Sequence, residues 1–228
     1  MEIISEKKQN ELAIAVLVGG KSSRFGIEKA GIKLLGKPLI VHQIETLSHF
    51  DEDVYLVASS DEQVLRYRKQ IDFPPEIEFI IDDREHFPYP EIFTPIVGFC
   101  SAFQTLAQQH FKKAFILSGD MPLIDPEVIK LLIKEMKGYD CCIPRWENGY
   151  LEPLCAIYPV EKGIKRTRKL IKKKNFNLTQ IPGEDWNINY ISVEKKIRPL
   201  DEHLLSFINI NGPVDLEKGI EFYKKELR

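Results

Sequence analysis

Apolar residues run without a break from position 12 to 18, which predicts a strand covered on both faces. Positions 54–58 have the same character, and 79–81 and 114–118 are shorter versions of it. Between these runs the spacing changes to the helical period. Pro38 opens a segment with Leu39, Val41, Ile44 and Leu47 along one stripe, and Ser60-Asp61-Glu62 caps a more polar helix. Thr94-Pro95 begins a helix through Gln109, and Asp125-Pro126-Glu127 gives an N-cap and first-turn proline to a helix ending near Met136. Strands and helices alternating at this length predict an α/β fold, a doubly wound, mostly parallel sheet with helices on both faces.

After about position 139 the pattern loosens. Positions 141–144 and 154–158 read as strands joined by a polar connection. A strongly basic helix follows over 162–174, then short strands over 190–192 and 207–210, and Pro213 starts a final helix. No internal repeat, low-complexity tract or linker interrupts the chain. The expected organisation is an N-terminal extension (1–11) and a single domain (12–228), whose parts are 12–138 and 139–228.

Composition narrows the class. A net charge of −2 over 228 residues provides no global field to recruit nucleic acid or an anionic membrane, so neither is expected as a partner. No apolar run approaches the roughly 20 residues that span a bilayer, and the polar first ten residues lack a signal-peptide core. Cys100, Cys141, Cys142 and Cys155 form no C-x-x-C pair and sit in apolar surroundings, which predicts buried free thiols and a cytoplasmic setting. The five histidines are too scattered to complete a zinc site.

The chemistry gathers after the first strand. Leu17-Val18-Gly19-Gly20-Lys21-Ser22-Ser23-Arg24-Phe25-Gly26-Ile27-Glu28-Lys29 is rich in Gly, Ser and cations. Chain leaving a strand in this way bares backbone N–H groups to phosphate oxygens, and Arg24 and Lys29 can reach the same anion. Gly19 and Gly20 carry no Cβ to obstruct a triphosphate. A Walker A loop would need glycine at position 15, which is Ala15, and Gly19, Gly20 and Gly26 do not fit the dinucleotide pattern. In doubly wound sheets the ligand crevice lies beyond the carboxyl ends of the strands. The Gly-rich loop, Asp82-Asp83 and Gly119-Asp120 all follow strands and so converge there.

Asp120 is a candidate Mg²⁺ ligand, since that ion is commonly held by one or two carboxylates and substrate phosphates; its other reading is a turn cap. Asp83, with Asp82 beside it, either accepts hydrogen bonds from a base or ribose or caps a loop. Glu152, Asn209 and Asn211 either face a second substrate or serve turns and strand ends. The run Lys165-Arg166-Thr167-Arg168-Lys169 reads as a solvated helix face, with phosphate contact from its inner side as the other reading. No nucleophile–base arrangement is defensible from spacing. That suits a phosphoryl-type transfer whose substrate brings its own nucleophile.

These residues resemble a known opening. Leu17, Gly19, Gly20, Ser22, Arg24, Gly26 and Lys29 match the L-x-G-G-x-S-x-R-x-G-x-x-K motif of sugar-phosphate-type nucleotidyltransferases, as do Gly36-Lys37-Pro38-Leu39 and Phe207-Ile208-Asn209-Ile210-Asn211. Gly119-Asp120-Met121-Pro122, Thr94-Pro95-Ile96-Val97-Gly98 and Glu152-Pro153-Leu154 make the chain most similar to the molybdenum cofactor guanylyltransferases. The resemblance implies a Rossmann-like fold of the nucleotide-diphospho-sugar transferase type. It implies transfer of GMP from GTP to molybdopterin with Mg²⁺ and release of pyrophosphate, and handover to molybdoenzymes or their chaperones.

Carried onto this chain, Leu17, Val18, Gly19 and Gly20 touch the nucleotide and Lys29 binds its phosphates. Asp83 contacts the nucleotide, Asp120 holds GTP and metal, and Lys29, Arg24 and Asp120 form the catalytic set. Residues 12–138 become the nucleotide-binding part and 139–228 the acceptor-binding part. Ser59 or Ser60 stands where the family often has Asn, Thr94 replaces a Gly, Gly212 replaces a Thr, and 84–93 is longer than usual. These departures leave a cytidylyltransferase acting on molybdopterin or a sugar-like phosphate, or a cobinamide-phosphate guanylyltransferase, as alternatives, and a binding module that kept the nucleotide loop without the chemistry as a further one.

Overall fold

The computed structural model describes residues 10–19, 32–89 and 91–226. Its centre is a seven-stranded sheet. Four parallel strands form one side: β1 (Leu12–Leu17), β4 (Asp53–Ala58), β5 (Glu78–Ile81) and β6 (Lys113–Ser118). β7 (Cys141–Arg145), β8 (Cys155–Pro159) and β9 (Ile188–Ser192) extend it, in the order β5-β4-β1-β6-β8-β7-β9. β8 runs antiparallel to both β6 and β7, and β7 and β9 are parallel. The mostly parallel, doubly wound sheet expected above is present, and it runs through both halves of the chain.

Its two faces follow from strand alternation. Ile14 and Val16 of β1 join Ile40, Ile44 and Leu47 of α1 (Leu39–Leu47), Tyr67 of α2 (Asp61–Gln70) and Leu132 of α4 (Pro126–Glu135). Ala13, Ala15 and Leu17 join Ile96, Phe99 and Phe103 of α3 (Pro95–Gln108) and Leu170 of α5 (Val160–Lys172). The alanines leave room for the rings above them. Phe99, Phe103 and Tyr158 pack edge-on with centroids 5.5–6.1 Å apart, a geometry favoured by the ring quadrupoles.

Some expectations need correction. Residues 207–210 are no strand: Leu205–Phe207 is a 3₁₀ turn, started by the Asp201 carboxylate accepting the N–H groups of Leu205 and Ser206 at 2.8 Å. The chain after it makes one cross-link, Ile210 N–H to Asp120 O at 2.8 Å. β2 (Lys33–Leu34) and β3 (Lys37–Pro38) form a hairpin that the hydrophobic pattern does not announce. Leu35 and Gly36, both at positive φ, make its tight turn. Ile32, Leu34 and Leu39 around it pack with Ile210 and, from α6 (Pro213–Glu226), Leu216 and Ile220. Cys141, Cys142 and Cys155 are buried free thiols, but Cys100 is only half-buried, because it lies on the side of α3 away from the sheet. Residues 1–9 of the expected extension lie outside the described residues. Among the described residues no helix is long and apolar enough to cross a membrane.

One glycine sets the spacing of α3 and α5. A Cβ at Gly163 would lie 2.7 Å from the Phe103 ring. Alanine normally stabilises a helix interior by about 1 kcal/mol over glycine, but here it forces two packed helices apart. Gly163→Ala is therefore expected to destabilise the fold by about 1–3 kcal/mol, read as a lower urea midpoint. An unchanged or higher midpoint would contradict the packing account.

Candidate active site

The carboxyl ends of β1, β4, β5 and β6 meet in a cavity of about 270 Å³. Backbone bonds bring them together: Val18 and Gly19 both donate to Val57 O (2.9 and 3.1 Å), Asp82 to Ala58 O (2.8 Å), and Gly119 to Leu17 O (2.9 Å). A Cβ on Gly119 would meet Leu17 O at 3.1 Å and Val18 Cγ1 at 3.0 Å, so a side chain there would separate the tips of β1 and β6.

Buried amide side chains brace these tips. Gln63 of α2 donates to Val18 O at 3.0 Å and accepts from the Ser59 N–H and hydroxyl at 2.7 and 3.0 Å, locking the exits of β1 and β4 together. Gln43 of α1 donates to Ser118 O at 3.0 Å. Sequence reasoning overlooked both, although Gln43 interrupts the apolar stripe of α1, and a polar group inside such a stripe must find a buried partner.

The walls carry two carboxylates. Asp120, 7% exposed, accepts a 2.5 Å hydrogen bond from Ser118 Oγ. Asp82 follows β5 on the α3 side, the face shared with Ile80, and alternation along the strand could have singled it out over Asp83. A Cβ on Gly98 would stand 3.4 Å from Asp82 Oδ1, so glycine leaves that oxygen room. Among the described residues Asp82 Oδ1 is buried without a hydrogen-bond partner, a costly state that a cation or substrate donor would relieve. Burial pushes the Asp82 carboxyl from 3.8 up to about 6, and the nearby Arg84 opposes the shift. Arg84 stands at the mouth of the cavity. Its guanidinium lies 4.4 Å from the Phe93 ring centre and donates to Ile92 O at 3.2 Å, and Phe93 itself is 64% exposed.

Leu17, Gly19 and Asp120 line this cavity, and Val18 is braced behind it by Gln63. Asp83 does not line it. Its N–H bonds Ser101 Oγ at 2.9 Å, its carboxylate takes His86 Nδ1 at 2.7 Å, and it faces a second cavity. Of the two serines, Ser59 faces the site, while Ser60 caps α2 by accepting from Gln63 N. Gly20, Arg24 and Lys29 lie outside the described residues. Glu152 accepts from Trp146 Nε1 at 2.7 Å, and burial raises its carboxyl pKa. Trp146 packs against Phe207 with the rings tilted and their centroids 5.7 Å apart. Asn209 donates to Phe207 O at 3.3 Å, and Asn211 N–H bonds Asp215 at 3.0 Å. The Ile210–Asp120 bond ties the main chain between Asn209 and Asn211 to Asp120, but neither asparagine nor Glu152 lines the cavity.

Among the described residues no cluster of three acidic, His or Cys groups forms a closed metal cage. Mg²⁺ needs no such cage, since it keeps waters and substrate phosphates alongside one or two carboxylates. Hard oxygen donors of the right kind are present in Asp120 and in Asp82, whose Oδ1 has no hydrogen-bond partner among the described residues.

Residues 14–177 match the model of the MobA-like NTP transferase domain. The chain belongs to this family. It is 39% identical over 212 residues to a probable molybdenum cofactor guanylyltransferase from Pyrococcus horikoshii, covering 90% of this chain and 97% of that protein. A Methanosarcina mazei protein of the same description is 29% identical, covering 97% and 96%. The crystal structure of molybdopterin-guanine dinucleotide biosynthesis protein A from Archaeoglobus fulgidus superposes with a TM-score of 0.74 at 32% identity, covering 93% of this chain and 99% of that one. Like its relatives in the family, this chain is a nucleotidyltransferase.

The Asp82 shift gives the site a pH signature. Folded protein keeps a proton on Asp82 that the unfolded chain releases, between 3.8 and about 6. Stability therefore falls as pH rises through that window and stays lower above it. Asp82→Asn removes the buried charge, so urea titration is expected to show a variant more stable than wild type by about 1–3 kcal/mol near pH 8. Below about pH 4 the two should coincide. A variant that is less stable near pH 8 would count against a strained, uncompensated carboxylate.

Proposed function

We propose that this enzyme transfers GMP from GTP to molybdopterin, releasing pyrophosphate, with Mg²⁺ as its metal. The observation that carries the reading is the pairing of Asp120 and the unpartnered Asp82 across one strand-tip cavity next to the glycine exit of β1. The names of the relatives supply the substrates.

In this reading the phosphate of molybdopterin attacks the α-phosphorus of GTP. A new P–O–P bond forms, and the α–β bridging bond breaks to release pyrophosphate. Leu17, Val18, Gly19 and Gly20 line the nucleotide's path, and the absent Cβ of Gly19 allows its phosphates to approach the backbone. Asp120, with Asp82, would hold the metal, which when bound offsets charge on the phosphates. Arg24 and Lys29 supply cationic partners for the leaving group.

The carboxylate that serves the nucleotide after β5 is Asp82 rather than Asp83. Arg84, stacked on Phe93, closes the mouth over the nucleotide. Residues 12–138 serve the nucleotide and 139–228 the acceptor, with Glu152, Asn209 and Asn211 on the molybdopterin side. The dinucleotide would pass to molybdoenzymes or their chaperones, in the cytoplasm.

Asp120→Asn is expected to lower kcat/KM by at least about a hundredfold, followed as pyrophosphate release with molybdopterin and GTP. Wild-type turnover in that variant would remove Asp120 from the reaction. Arg84→Ala should instead raise KM for GTP by about tenfold with little change in kcat, as for a group that binds ground and transition states alike. Ser59 in the cavity makes base choice the sharpest test of substrate. With all four triphosphates offered, mass analysis should find the guanine dinucleotide, and a cytosine product would redirect the assignment.

A further inference from the structure

Features that the proposed reaction leaves unused meet in one place: Arg168 and Lys172 of α5, the stretch 86–88 and Cys100. They surround a cavity of about 570 Å³ between α3 and α5, larger than the strand-tip cavity and within the range of small-molecule sites. The turn at 82–83 and the first turn of α3 separate the two. Asp82 and Gly98 face one side, and Asp83 and Val97 face the other.

We propose that this second cavity binds a small anion with a flat apolar body, such as an aromatic sulfonate, phosphate or carboxylate. Arg168 and Lys172, one helical turn apart on α5, line it, and among the described residues neither forms an ion pair. By contrast Arg166 turns away and donates to Gln180 O. Two unpaired cations on one wall call for an anion, and guanidinium is the better fork for a planar oxyanion. The one carboxylate on the lining, Asp83, bonds His86 and offsets one of the two positive charges at most, which leaves the wall net cationic.

Phe87, Pro88, Val97 and Ile171 provide the apolar surface. Phe87 is held by Tyr89 and Phe176, with centroids 5.7 and 6.1 Å away, which pins this part of the loop to the chain after α5. Ser101 Oγ donates to Val97 O and accepts from Asp83 N–H, which fixes the wall shared with the other cavity. Gln104, which also lines the cavity, adds an amide to orient the guest. The inference does not depend on the reaction assigned above, and its test requires no turnover.

Cys100 serves as the reporter. It lines the cavity, while Cys141, Cys142 and Cys155 are fully buried, so iodoacetamide should reach Cys100 first. The probe is anilinonaphthalene sulfonate, followed by fluorescence, with alkylation of each cysteine followed by mass spectrometry. The dye at about ten times its dissociation constant is expected to slow Cys100 alkylation by about tenfold, and saturating Mg²⁺ and GTP should not displace it. Arg168→Gln with Lys172→Gln, both exposed positions, should weaken the dye by about tenfold or more while circular dichroism and the melting temperature stay as in wild type. Three outcomes would each overturn the proposal: unchanged Cys100 reactivity with dye bound, full-affinity dye binding by the folded double variant, or displacement of the dye by GTP.

Discussion

The close approach of backbones at the carboxyl ends of β1, β4 and β6 is the constraint on which the rest of this molecule depends. Val57 O takes two N–H groups from Val18 and Gly19, and Leu17 O takes one from Gly119. Glycine at 119 makes the second contact possible. The glutamines take neighbouring groups at the same exits, Gln63 the Val18 carbonyl and the Ser59 N–H and Gln43 the Ser118 carbonyl, so these strand exits are bonded to helices as well as to one another. An exit braced in this way delivers a ligand group to a fixed point. Loops alone would not, because positioning to within a fraction of an ångström requires support from packed elements.

The fold was legible because its strands are buried on both faces and its helices carry clear caps, so period and punctuation agree. The reversed direction of β8 was not legible, since an antiparallel strand with both faces covered has the same apolar character as its parallel neighbours. The hairpin at 33–38 is too short for its alternation to register, and it is held by Ile210 and α6 from far along the chain. Residues 207–210 looked like a strand because they alternate, but Asp201 draws the preceding amides into a turn. In the site, Asp120 could be read from its place after a strand. The choice between Asp82 and Asp83 depended on which face of β5 meets α3, and Gln43 and Gln63 act through carbonyls that no motif describes.

Electrostatics at the two walls of the 82–83 turn are opposed. On one side Asp82 is half-buried, its Oδ1 lacks a hydrogen-bond partner among the described residues, and desolvation drives it toward its neutral form. On the other Asp83 is exposed and paired with His86, whose pKa it raises by a charge-assisted hydrogen bond. A site that keeps an unsatisfied carboxylate loses some folding stability, and the large aromatic core around Phe99, Phe103 and Tyr158 is what can offset that loss.

The bond from Ile210 N–H to Asp120 O joins main chain to main chain, so it is indifferent to the side chains on either partner. Side chains at 209 and 211 can therefore change while the main chain stays tied to Asp120, provided that Ile210 continues to fill the cluster beneath it. Substitution at these two positions would need no rebuilding of the strand tips. A main-chain contact thus frees the flanking side chains for change in evolution or by design.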